Sequence, residues 1–182
     1  MVRNYYYYIP LICFLLLVLF FGRQLFLNED PSNLPSVLVD EEFPVLEFAQ
    51  LEKYNLLSTS DILSYDRPSL VNVWASWCAP CKVEHANLMV LKMDYEIRIY
   101  GINYKDDIQE ANKMLVKKGN PFYSIGVDST GRESINLGVY GIPETFILDS
   151  EGQIRYRHVG PILEFDLRET ILPILTKLEK ER

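Results

Sequence analysis

Leu70-Val71-Asn72-Val73-Trp74-Ala75-Ser76-Trp77-Cys78-Ala79-Pro80-Cys81-Lys82 is the stretch on which the fold turns. Its first half is a short apolar, β-branched run of the kind that forms a buried strand. It runs straight into a C-x-x-C. From Lys82 to Met93, apolar residues at Val83, Ala86, Leu88, Val90 and Leu91 suit a helix. Strand, C-x-x-C, helix is the context of a redox dithiol. A thiolate at a helix N-terminus faces unpaired backbone N–H groups and the positive end of the macrodipole, so its pKa falls. Cys78 is then the exposed attacking sulfur and Cys81, one turn further in, the buried resolving sulfur. Pro80 suits the first turn, where a missing N–H costs little. Two other readings compete. Half a zinc or copper site needs further ligands, and the only histidines are His85 and His158, with no second cysteine pair. An inert disulfide across so short a loop gives little entropic benefit.

Further along, strand and helix signals alternate. Ile97–Ile102 alternates as a strand, and Asp106–Lys118 carries a helical apolar stripe that Gly119 stops. Phe122–Val127 reads as a strand and Arg132–Leu137 as a short helix. Thr145–Leu148 and Ile154–Val159 flank Asp149-Ser150-Glu151-Gly152, a hairpin signal. Phe165–Glu181 closes the chain as an amphipathic helix with a kink expected at Pro173. The pattern predicts an α/β fold, a mixed sheet flanked by helices.

Before this region, Tyr5–Phe21 is free of charge and sits between Arg3 and Arg23. At about 1.5 Å per residue it is just long enough to cross a ~30 Å hydrocarbon layer, with the tyrosines at one interface. A cleaved leader would need a small-residue site, and Phe20-Phe21-Gly22-Arg23-Gln24-Leu25-Phe26 offers none. An uncleaved transmembrane anchor over residues 1–27 is therefore expected, with Cys13 a spectator thiol in it. The basic residues favour an internal N-terminus and an exported C-terminal part. Residues 28–44, with Pro31, Pro35 and Pro44, read as a tether, and residues 45–182 as the folded domain.

The composition is compatible with this picture. Of 182 residues, 48 % are hydrophobic, enough to fill a core, so bulk disorder is excluded. A formal net charge of −7 argues against general nucleic-acid binding. Three cysteines are too few for a disulfide-rich scaffold.

Trp74-Ala75-Ser76-Trp77-Cys78-Ala79-Pro80-Cys81 resembles the active site of the thioredoxin superfamily, and Gly141-Ile142-Pro143 before Glu144-Thr145-Phe146-Ile147 resembles its cis-proline loop. Cys81-Lys82-Val83-Glu84-His85, Gly101-Ile102-Asn103-Tyr104-Lys105-Asp106 and Gly138-Val139-Tyr140-Gly141-Ile142-Pro143-Glu144-Thr145-Phe146, in that order, are similar to the membrane-tethered thiol:disulfide interchange proteins of cytochrome c maturation, the CcmG/DsbE family. The likeness runs from about Asp40 to the C-terminus and includes the anchor.

The resemblance implies a thioredoxin-like fold and a single-pass protein of the bacterial inner membrane with its domain in the periplasm. It implies a reductant that keeps the haem-attachment cysteines of apocytochrome c, or those of another maturation protein, reduced. Re-reduction would come from a membrane electron donor of the DsbD/CcdA type. No metal and no cofactor beyond the Cys78–Cys81 dithiol is implied. It also implies that Pro143 is cis and packs on the dithiol, exposing the Ile142 backbone to an extended substrate, and that Trp77 borders the site.

Thioredoxins usually carry a buried Asp six residues before the first cysteine; this chain has Asn72. Glu84, one turn after Cys81, and Glu144, after Pro143, are the acids left to tune the dithiol, by accepting a proton or by like charge. The alternative makes them a solvated helix residue and a loop residue. His85 is expected on the helix surface. Asn103–Asp106 reads either as a recognition loop or as ordinary turn chemistry. A general exported thioredoxin-like reductase fits the same dithiol. A tethered copper-binding module lacks a third ligand. A thiol peroxidase would want Thr where Ala75 stands.

Overall fold

The computed structural model describes residues 8–26 and 38–181, with backbone alone for residues 24–26. The chain divides into two units, one ending at Leu34 and one beginning at Pro35. In the first, Ile9–Phe26 forms helix α1, whose free Cys13 is exposed. Among the described residues no helix is long and apolar enough to cross a membrane. Tyr5–Tyr7 and Leu27 of the expected span, and residues 28–37 of the expected tether, lie outside the described residues.

The second unit is built on a six-stranded mixed sheet. Its strands are β1 (Ala49–Gln50), β2 (Ser69–Trp74), β3 (Arg98–Tyr104), β4 (Ser124–Asp128), β5 (Glu144–Leu148) and β6 (Ile154–Val159), in the order β1-β4-β3-β2-β5-β6. β2, β3 and β4 are parallel; β5 pairs antiparallel with both β2 and β6, and β1 antiparallel with β4. The helices are α2 (Thr59–Leu63), α3 (Ala79–Met93), α4 (Ile108–Lys118), α5 (Arg132–Asn136), α6 (Glu164–Asp166) and α7 (Leu172–Glu181).

β2 is buried at every position, as a central strand covered on both faces must be. Leu70 and Trp74 point into one hydrophobic cluster and Val71 and Val73 into the other, following the two-residue period of a strand. α3 presents Cys81, Glu84, His85, Leu88 and Leu91, a three-to-four-residue stripe, to the first cluster. Phe122 lies across β3 and stacks on Trp74 at 5.2 Å between ring centroids. Gly101 admits it, because a Cβ there would stand 2.8 Å from the Phe122 ring. The Asp149–Gly152 turn closes the β5–β6 hairpin. Asp149 Oδ1 accepts from the Glu151 and Gln153 N–H groups, and Gly152 takes φ 78°, a left-handed conformation that suits glycine.

Three features differ from the sequence expectation. Residues 38–44, placed in the tether, dock on the domain. Asp40 N–H donates to Ile154 O, Phe43 N–H to Gly152 O, and Ile154 N–H to Glu41 O, while Phe43 is buried. No sequence period announces this segment, because what docks it is backbone pairing with the β5–β6 hairpin, which leaves no periodic pattern of side chains. The final helix is interrupted: a π-helical turn at Leu167–Ile171 separates α6 from α7. Pro173 lacks the N–H for a regular i→i−4 bond and its ring would crowd a carbonyl one turn back, and widening the preceding turn relieves both. His85 is buried rather than on the surface, with Nε2 3.0 Å from Gly119 O. Burial holds its pKa below the usual histidine value.

Candidate active site

β2 delivers the chain to the carboxyl end of the sheet, where Ala75–Trp77 turn it into α3. Cys78 caps that helix with extended backbone angles (φ −77°, ψ 113°), and its Sγ accepts from the Cys81 N–H at 3.2 Å. Cys78 and Cys81 are joined in a disulfide with their Cα atoms 5.3 Å apart. The structure is therefore the oxidised state of the pair. The expectation of an exposed Cys78 is not met in this state: it is 3 % exposed and Cys81 2 %. The cover comes from the opposite loop. Ile142–Pro143 is a cis peptide, and Ile142 O lies 3.7 Å from Cys78 Sγ.

Asp106 fixes the segment leading into the first cysteine. Its Oδ2 accepts from the Ser76 N–H at 2.6 Å and from Asn103 Nδ2 at 2.8 Å. Its Oδ1 accepts from Ser76 Oγ at 2.6 Å and from the Asp107 N–H at 2.9 Å. Beside this, Trp77 Nε1 donates to Lys105 O at 3.0 Å while the residue remains 57 % exposed. The β3–α4 loop thus holds both residues ahead of Cys78. Asp106→Ala leaves the buried Ser76 amide and hydroxyl without partners. It is expected to lower folding stability by about 1–3 kcal/mol, read as a shift in the denaturant midpoint at unchanged m-value.

Glu84 is fully buried under α3. Its Oε1 accepts from Asn72 Nδ2 at 2.9 Å and its Oε2 from the Ile162 N–H at 3.0 Å. Asn72 Nδ2 also reaches Thr145 Oγ1 at 3.0 Å, its direct cross-strand neighbour in the β2–β5 register. Burial dominates the carboxyl's ionisation and pushes its pKa up to about 7, against the lowering effect of the two hydrogen bonds. The polar position that thioredoxins fill with an acid on β2 is here filled by an amide that binds an acid on α3.

Glu144 has a different surrounding. It is the first residue of β5 and fully buried, not a loop residue. Oε1 accepts from the Tyr140 and Gly141 N–H groups at 2.9 and 3.1 Å, which ties down the chain just before the cis-proline. Oε2 receives both Nε and Nη2 of Arg157, at 2.7 and 2.6 Å. The Nε contact is the aligned hydrogen bond, and Nη2 is an ion contact on the same oxygen with poorer direction. Arg157 also covers the Tyr140 ring at 4.6 Å.

The structure therefore gathers Cys78, Cys81, Pro143, Trp77 and Glu84 around the N-terminal end of α3, and sets Glu144 behind the cis-proline loop as its anchor. Asp106, Ser76 and Arg157 were not singled out individually from the sequence. Arg157 could have been found: the hairpin register puts it opposite Phe146, diagonal to Glu144 on the same pair of strands. Among the described residues, no group of three or more His, Cys, Asp or Glu converges to hold a metal ion.

The family model described as Redoxin matches residues 38–171. The thiol:disulfide interchange protein DsbE of Allochromatium vinosum is 44 % identical over 173 residues, covering 94 % of this chain and 93 % of that protein. Its counterpart in Escherichia coli K12 is 40 % identical over 176 residues, covering 95 % of each. Among solved structures, a secreted thiol-disulfide isomerase from Corynebacterium glutamicum superposes with a TM-score of 0.61 at 21 % identity, covering 73 % of this chain and 84 % of that one. That likeness shows a thioredoxin-like α/β fold.

Proposed function

The chain belongs to the DsbE family of thiol:disulfide interchange proteins and is a thiol:disulfide oxidoreductase, and on that premise we propose that it is a membrane-anchored periplasmic reductant of cytochrome c maturation. Its targets are the haem-attachment cysteines of apocytochrome c or a partner maturation protein, and it draws electrons from a membrane donor of the DsbD/CcdA type. The observation that carries the chemistry is Cys78 at the N-cap of α3, with the Cys81 N–H directed at its sulfur.

In the reduced protein, that N–H and the helix dipole favour the Cys78 thiolate. The thiolate attacks one sulfur of the partner's disulfide. The partner S–S bond breaks, a mixed disulfide forms at Cys78, and the departing partner thiolate takes a proton. Cys81, deprotonated, then attacks the Cys78 sulfur. The mixed disulfide breaks, the second partner thiol leaves, and the Cys78–Cys81 disulfide closes. Two electrons have passed to the partner. Glu84, one turn from Cys81 and with a pKa of about 7, has the proton affinity to serve the second step near neutral pH. An extended partner segment pairs with the backbone of Ile142, held beside Cys78 by the Glu144-anchored loop.

The N-terminal sequence supports the setting. The charge-free run from Tyr5 to Phe21, extended by Leu25–Leu27, has the length of a membrane span and is flanked by Arg3 and Arg23. The full chain, pre-reduced in detergent, is expected to reduce a peptide carrying an oxidised C-x-x-C-H haem-attachment site to its dithiol with matching oxidation of Cys78 and Cys81. It should do so faster than it reduces the same cysteines in a scrambled peptide. Equal rates on the two peptides would instead describe a general exported reductase.

A further inference from the structure

Next to the dithiol lies a groove of about 600 Å³ that the redox chemistry does not use. Trp77, Ser76 and Met114 supply its walls and floor, and Lys82, Lys113, Lys117, Lys118 and Glu110 its rim. Four of the chain's 18 basic side chains meet here, in a protein of net charge −7. All four are exposed. The single acidic rim residue, Glu110, is already paired with Lys113 at 2.5 Å. Of the carboxylates near the rim in sequence, Glu84 is buried against Asn72 and the Ile162 N–H, Asp106 is committed to Ser76, Asn103 and the Asp107 N–H, and Asp107 caps α4. Lys82, Lys117 and Lys118 form no ion pair among the described residues; Lys118 Nζ donates to Lys82 O at 3.0 Å.

The helix dipole accounts for part of this. Lys117 and Lys118 sit in the last turn of α4, where cations are favoured. It does not account for Lys82, which sits at the start of α3, where a cation is disfavoured. Nor does it account for Lys113 in mid-helix, one turn before Lys117 on the same face. The indole is held by its bond to Lys105 O, and Trp77, next to Cys78 in the chain, lines the groove together with the lysines.

From this continuity with the sulfur site, and from the charge, we infer that the groove receives an acidic segment of the redox partner, running outward from the disulfide that Cys78 attacks. The inference rests on the proposed disulfide exchange. Its contribution is to encounter and KM, since charges at an interface rim act chiefly on association.

The test uses pre-reduced full chain in detergent and disulfide-bonded peptides with identical cysteine spacing but Asp/Glu-rich, neutral or Lys-rich flanks, beside hydroxyethyl disulfide as a small neutral substrate. Wild-type protein should show the lowest KM for the acidic peptide, and the preference should fade as salt screens it. Lys113→Glu/Lys117→Glu should raise that KM about tenfold or more, the neutral Lys113→Gln/Lys117→Gln pair by less. Reduction of hydroxyethyl disulfide should not change, which also shows that the variants are folded. Equal KM values for the three peptides in active wild-type protein overturn the groove. So does inhibition of acidic-peptide reduction by inorganic phosphate at an ionic strength where chloride has no effect, which would mark a free-anion site. Failure on hydroxyethyl disulfide itself would instead strike the disulfide exchange.

Discussion

Arg157→Met is expected to lower folding stability by about 3–5 kcal/mol, because it leaves the Glu144 carboxylate buried without its cation. Both side chains are almost wholly inaccessible, 4 % for Arg157 and 0 % for Glu144. Water can therefore replace neither partner. Glu144→Gln should cost a similar amount by stranding the guanidinium. The double variant Glu144→Gln/Arg157→Met should cost clearly less than the two added together, and that coupling separates a charge pair from loss of packing. Exposed pairs such as Arg168–Glu164 and Lys177–Glu181 should contribute below about 1 kcal/mol each. Activity should fall together with stability, because Glu144 also holds the Tyr140 and Gly141 amides that place the cis-proline loop. A single-variant cost below about 1 kcal/mol in denaturant unfolding would contradict this reading of the loop's anchor.

The second large effect is a pH slope. Glu84 has a folded-state pKa of about 7 against an ordinary value of 4.5, with burial the main cause. Between those two pH values the folded protein keeps a proton that the unfolded chain has lost. Its stability therefore falls as pH rises through that window, by roughly 3 kcal/mol in all, and this group adds no further change above it. Below the window both states are protonated and Glu84 contributes no slope. Glu84→Gln should flatten this segment of the stability–pH curve. At acid pH the protonated carboxyl and the amide each keep one carbonyl acceptor for Asn72 and the Ile162 N–H, so there the variant's stability should lie within about 1 kcal/mol of the wild type. The same variant should move the pH dependence of the second exchange step, in which Cys81 must lose its proton. An unchanged slope and an unchanged profile would return Glu84 to a purely structural role.

The sequence made the dithiol and its setting legible because the decisive signals are local. Six residues of strand, a C-x-x-C and an apolar helical stripe lie within twenty-four positions from Leu70 to Met93. The β5–β6 hairpin was legible for the same reason: Asp149-Ser150-Glu151-Gly152 carries its own turn chemistry. The surroundings of Glu84 were not legible. Its burial is created by Asn72, twelve positions before it, and by the Ile162 amide, seventy-eight positions after it. Periodicity counts a glutamate on a helix as a polar residue and has no access to such contacts. His85 was misplaced for the same reason, since Gly119 comes from the end of α4. Residues 38–63 gave no pattern because β1 has two residues and α2 five, shorter than either period needs. Asp106 was visible only as part of a turn; its work is done on Ser76, thirty positions away.

The assignment of sulfur roles can be read directly from which single-cysteine variant retains a partner covalently. Full-length Cys81→Ala, mixed with a peptide carrying an oxidised C-x-x-C-H site, should accumulate a mixed disulfide through Cys78 that survives gel electrophoresis without reductant and releases the peptide on adding dithiothreitol. Cys78→Ala should accumulate none under the same conditions. A stable adduct through Cys81 in the Cys78→Ala protein, or no adduct in either, would contradict the account.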